Sequence, residues 1–183
     1  MKTKRILSIL LCAAFVMITF TNKVNASSPT ADVESTAGIE STEESSSSLP
    51  EIDPNNYTLD ELNAFTEALI KSKAGEDCQV RFYDDCIVID LWIDGMYDYA
   101  ELAKNNDEYK ETWDSAVESM RDMSEVLYGL YSDFDRDVYV YILNDNDHDN
   151  VLVMVMNGIK IFDCVNDDED TGTTIDMTRM RFR

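Results

Sequence analysis

Histidine is almost missing from this chain. Its single example, His148, sits among aspartates, so a two-histidine metal site is excluded and a histidine-based triad is not expected. Glycine is scarce, at six residues, and none falls in a phosphate-binding pattern. Basic residues are few as well. Fifteen Lys and Arg stand against 37 Asp and Glu, a net charge of −22. Such a balance repels nucleic acid and anionic lipid headgroups and favours cationic partners or divalent cations. No apolar run after the first 26 residues is long enough for a bilayer, which needs about 20.

What is present divides the chain into segments. Residues 1–26 read as a secretory signal peptide: Lys2, Lys4 and Arg5 lead, Ile6 to Phe20 is unbroken apolar, and Val24-Asn25-Ala26 offers a small-residue cleavage pattern. The apolar core, about 15 residues, is short for an uncleaved anchor. Cys12 has Leu11 before it where lipid attachment would want a small residue. Cleavage takes four of the 15 basic residues and no acid, leaving 11 against 37, or −26. The expected product is secreted or extracellular, or else associated with the cell envelope, with no membrane insertion. Residues 27–56 form a Ser/Thr/Glu linker without Lys or Arg, too poor in large apolar side chains to fold. Residues 57–170 are expected to form a single domain, and 171–183 a C-terminal tail or edge strand, since Arg179-Met180-Arg181-Phe182-Arg183 alternates.

Within the domain the pattern predicts an α+β fold: an antiparallel sheet of about five strands with two or three packed helices, in the order α-β-β-α-α-β-β-β. Thr58 and Glu61 are spaced as a capping box, Leu62, Phe65 and Leu69 mark one helix face, and Gly75 ends it. An Asp84-Asp85 turn would set Phe82 opposite Ile87, Val80 opposite Ile89 and Cys78 opposite Leu91. Helix is expected from Gly95 to Phe134 with a break at Asn105-Asn106. Trp113, Val117, Met120, Ser124, Leu127 and Tyr131 make its core stripe. Three strands follow, the first two separated by an acidic loop over 144–150. The last two are joined by Asn157-Gly158, a pair suited to the positive φ of a type I′ turn. The simplest register there puts Met156, Met154 and Leu152 with Ile159, Ile161 and Asp163 under the helices. Val155, Val153 and Val151 then share the other side with Lys160, Phe162 and Cys164.

Three features bear on function. Asp145, Asp147 and Asp149 alternate like the first ligands of a calcium loop, with Asn150 where glycine usually stands. The twelfth position, however, is Met156 rather than a bidentate glutamate. Among the cysteines, Cys86 and Cys164 share the outward parity and are the better candidate disulfide, with three unlinked thiols as the alternative, while Cys78 and Cys86 lie roughly 16 Å apart along a ladder and should not pair. The third feature is the sheet face away from the main core. Val88, Trp92, Tyr139, Tyr141, Val153, Val155 and Phe162 are expected there, a large apolar patch that either the first helix covers, giving a three-layer domain, or a partner chain or ligand does.

The segment Leu143 to Asp163, with its Asn144, Asp145, Asn146, Asp149, Asn150, Asn157, Gly158, Phe162 and Asp163, resembles a cassette of small exported proteins and lipoproteins of Gram-positive bacteria. The likeness runs over 58–165. It implies an α+β domain and export, and carries no activity, ligand or catalytic residue. The functional expectation is a non-enzymatic binding module, secreted or envelope-associated. An unknown protein or ligand would meet the aromatic face at Trp92, Tyr139, Tyr141 and Phe162, and no cofactor is expected. A domain stabilised by calcium on Asp145, Asp147 and Asp149 is the alternative; a carboxylate-based hydrolase is the third.

Overall fold

The computed structural model describes residues 56–167 together with Asp53. Residues 1–26 with Cys12, expected to be a signal peptide, nearly all of the expected linker, and the expected tail lie outside the described residues.

Helix α1 (Leu59–Ala74) starts at the capping box. Thr58 Oγ1 accepts from the Glu61 N–H at 3.3 Å, and Glu61 Oε2 accepts from the Thr58 N–H at 2.8 Å. These bonds hold the Glu61 carboxyl below its ordinary range. Leu62, Phe65 and Leu69 are buried, and Gly75 turns the chain at φ 62°. Strands β1 (Cys78–Phe82) and β2 (Cys86–Leu91) then pair antiparallel, with Phe82 opposite Ile87, Val80 opposite Ile89 and Cys78 opposite Leu91. Each expected partner is in place.

Helices α2 (Met96–Asn105) and α3 (Asp107–Tyr131) break at Asn106, whose side chain caps α3 by accepting from the Glu108 N–H at 3.0 Å. All six stripe residues of α3 are buried. A 3-10 turn (Ser132–Phe134) leads into β3 (Asp137–Asn144), β4 (Asp147–Met156) and β5 (Ile159–Asp163). The fold is α+β, with the five strands in the order β1-β2-β3-β4-β5. One pair departs from the antiparallel expectation. β2 and β3 are parallel, because α2 and α3 carry the chain back to the end of the sheet where β2 began.

The main core lies between the three described helices and one sheet face. There Trp113, Met120, Leu127 and Tyr131 meet Ile87, Ile89, Val138, Val140, Ile142, Val153 and Val155. Burying each such large apolar side chain contributes roughly 1.5–3 kcal/mol. Two expectations fail in the C-terminal hairpin. Val153 and Val155 belong to the helix side rather than the aromatic side, and Met154 is the residue that points away. The Asn157-Gly158 turn is in its expected place, with Met156 opposite Ile159. A bulge follows at once, so that Phe162 faces Met154 and Ile161 is the extra residue, left exposed. The acidic loop is also shorter than expected, since β4 begins at Asp147 and Asn144 pairs with it.

Candidate functional site

Strand alternation sends a second set of side chains to the face without helices. Cys86, Val88, Tyr141, Leu143, Val151 and Met154 form its buried centre, flanked by Tyr83, Trp92, Tyr139 and Phe162. No residue of a described helix belongs to this cluster. The four aromatics expected on one face, Trp92, Tyr139, Tyr141 and Phe162, are therefore brought together. Tyr139 and Tyr141 are nearly parallel, with centroids 6.5 Å apart, and Trp92 stacks on His148 at 4.6 Å. The chain's one histidine thus stands at the edge of this cluster, on an exposed strand position rather than in a loop.

Among these rings lies an ion pair that sequence reasoning missed. Arg81 Nη2 is 2.5 Å from Asp90 Oδ2, and the Asp90 side chain is only 5% exposed. Burial pushes the Asp90 carboxyl up, and the Arg81 guanidinium draws it back only in part. Asp90 Oδ1 and Arg81 Nε have no hydrogen-bond partner. A buried polar atom left in that state costs about 1–3 kcal/mol. The available signal was an aspartate interrupting the otherwise apolar run Ile87 to Trp92, with arginine diagonal to it on the neighbouring strand, two residues from the aspartate's ladder partner Gln79.

The acidic segment does different work from the calcium loop it suggested. Asp145 Oδ2 accepts from the Gly95 N–H and Oδ1 from the Tyr97 N–H, both at 2.9 Å, so this carboxylate caps α2 from 50 residues away. Asp147 and Asp149 are exposed on β4, with Asp147 Oδ1 accepting from the Asp149 N–H. Among the described residues no group of three His, Cys, Asp or Glu side chains is placed to hold a metal ion. Asp145→Ala should therefore cost about 1–2 kcal/mol in denaturant unfolding. Wild-type melting curves in millimolar calcium and in EDTA should coincide; a rise with calcium would restore the calcium reading.

The expected Cys86–Cys164 bond is corrected. Both thiols are free; Cys86 sits in the second-face cluster, and Cys164 packs against the helix-side core. The bulge in β5 moved Cys164 to the opposite parity. Burial, reinforced for Cys86 by Asp85, pushes both thiols up to about 12, and burial also raises Cys78. A disulfide reagent at pH 8 should label these three cysteines slowly in the native protein and rapidly in denaturant. Rapid native labelling of Cys86 would contradict its placement.

A cavity of about 220 Å³ between α3 and β5 is lined by Asp114, Arg121, Lys160, Asp163 and Asn166. Of its three carboxylates, Glu118 pairs with Arg121 at 2.6 Å and the other two make structural hydrogen bonds. Asp163 Oδ1 accepts from Trp113 Nε1 at 2.9 Å and from the Val165 N–H at 3.0 Å, while Asp114 accepts from Lys110 and Asn166. Compared with models of protein families, with curated proteins and with solved structures, the chain finds no match.

Proposed function

We propose that the protein is a non-enzymatic binding module, secreted or envelope-associated, and that the second face of its sheet is the contact surface. One observation carries this reading. Every described helix packs on one face, while the other gathers Trp92, Tyr139, Tyr141 and Phe162 around the buried Asp90 and its partly exposed partner Arg81, a pair with open hydrogen-bonding capacity. Rigid aromatic rings with an arginine in reach are the side-chain types that dominate binding energy at protein interfaces. The strong negative charge directs the surface toward cationic or neutral partners rather than nucleic acid.

Sedimentation of the mature protein with isolated envelope from the source organism tests the proposal. Trp92→Ala should weaken association by about tenfold or more, the loss of one anchoring ring, without altering the far-ultraviolet circular dichroism. Wild type remaining in the supernatant, or Trp92→Ala sedimenting like wild type, would overturn it.

A further inference from the structure

The cavity between α3 and β5 is lined by side chains whose hydrogen bonds can be followed atom by atom. Asp163 and Asn166 are satisfied within the protein: Asp163 Oδ2 accepts from Asn166 Nδ2 at 2.6 Å, and the same Nδ2 donates to Asp114 Oδ1 at 2.8 Å. Lys160 is not. Its Nζ lies 3.5 Å from Asp163 Oδ2 and 3.7 Å from Asp167 Oδ1, near enough for attraction but beyond hydrogen-bond length. Arg121 is fixed by donating Nε to the Gly158 carbonyl and Nη1 to Glu118 Oε2, while its Nη2 has no partner among the described residues. On the acceptor side, Glu118 Oε1 is likewise open among the described residues. The lining thus holds two cations with open donors and one open carboxylate oxygen beside them.

Charge narrows what could sit there. Around the cavity Lys110, Arg121 and Lys160 face Asp114, Glu118, Asp163 and Asp167, three charges against four, in a chain of net charge −22. A lone anion enters against that field, and a lone cation leaves Lys160 and Arg121 unanswered. A zwitterion meets neither objection. It adds no net charge, its carboxylate accepts from the two cations, and its ammonium donates to the open glutamate oxygen. Size sets a second limit. The cavity's volume of about 220 Å³ exceeds the roughly 150 Å³ that holds a benzene ring, and suits roughly six to nine non-hydrogen atoms. Among the described lining residues only Val117 is apolar, enough for a short aliphatic side chain and little more.

We propose that this cavity is a binding site for a small aliphatic α-amino acid, with Lys160 and Arg121 holding its carboxylate, Glu118 its ammonium and Val117 its side chain. Arg121 is already fixed at two points, so binding has little of its freedom left to remove. Lys160 exchanges two distant carboxylates for one in hydrogen-bond contact. A site of this size with a single apolar contact predicts millimolar affinity. It shares no residue with the aromatic face, so it goes beyond the contact-surface reading, and the envelope test has no bearing on it.

The test is a nuclear magnetic resonance titration of the isotopically labelled mature chain, followed through the side-chain N–H signals of Arg121 and Asn166 and the Val117 amide. The probes are L-alanine, L-valine and L-leucine, each run beside its matching amine and carboxylate (isoamylamine and isocaproate for leucine). At least one of the amino acids should shift these signals saturably with a millimolar Kd, its matching amine and carboxylate binding about tenfold more weakly or less. Lys160→Met should weaken that amino acid by about tenfold with unchanged circular dichroism, and Glu118→Gln, which keeps an oxygen but not the charge, should weaken it as well. No saturable shift with any of the amino acids, shifts centred away from α3 and β5, single-charge analogues binding as tightly, or either variant binding like wild type would each overturn the proposal.

Discussion

Asp163→Ala should destabilise the folded chain by about 3–5 kcal/mol in urea unfolding, because it strips partners from several buried groups at once. The Asp163 side chain is 1% exposed. Its Oδ1 holds the indole N–H of Trp113, itself fully buried, and the Val165 N–H; its Oδ2 accepts from Asn166 Nδ2 at 2.6 Å and lies 3.5 Å from Lys160 Nζ. The carboxylate thus ties the second turn of α3 to the end of edge strand β5. Asp163→Asn keeps one oxygen for the Trp113 or Val165 donor and should lose less. A loss below about 1 kcal/mol for the alanine variant would mean that the indole finds another acceptor and that β5 is not held this way.

Gly158→Ala should cost about 2–4 kcal/mol, from backbone strain together with overpacking. Gly158 has φ 81°, and a Cβ there would lie 2.7 Å from Glu125 Cβ and 3.2 Å from Glu125 Cα. The obstacle is the body of α3, which cannot swing aside as a side-chain tip can. The turn is also tied down on both sides: the Gly158 N–H donates to Ser124 Oγ at 3.1 Å, and Arg121 Nε donates to the Gly158 carbonyl at 3.2 Å. Asn157, at φ 51°, completes the anchor by accepting from the Val138 N–H and donating to Asp137. Gly75→Ala is the control. Gly75 has φ 62° with nothing within 4 Å of the added methyl, so it isolates the strain, expected at roughly 1–2 kcal/mol. Equal losses at the two glycines would remove the contact with α3 from the account.

These two positions show which parts of the fold could be read from residues alone. Asn157-Gly158 announces its turn through φ, a local property, and the Thr58 box and Asp84-Asp85 reversal are local in the same way. The α3 stripe is legible because polar residues separate its apolar ones at helical spacing. Strand β4 offers no such contrast. Val151 to Met156 is apolar on both parities, since Val151 to Val155 are buried whichever face they point to, and alternation cannot then say which face is which. Its orientation is set by neighbours: Val140 pairs with Val155 and Tyr141 with Met154, and the parallel β2–β3 register fixes β3. The bulge at Ile161 has no local marker, so the parity of Cys164 was lost with it. Asp145 looked like a metal ligand because its type and spacing suit one; its partners, Gly95 and Tyr97, are close only after folding. Of the candidate site, the aromatic residues were legible by their number and parity. The Arg81–Asp90 pair was not, because isolated charges on a strand usually face water.

The proposed role stands on the second face rather than the helical surface meeting a partner. Hydroxyl-radical footprinting of the mature protein, alone and with envelope, addresses this residue by residue. On this account oxidation of Trp92 and Phe162 falls several-fold when envelope is added, while exposed Leu102 on α2 is unchanged. Protection of Leu102 with none at Trp92 or Phe162 would contradict it.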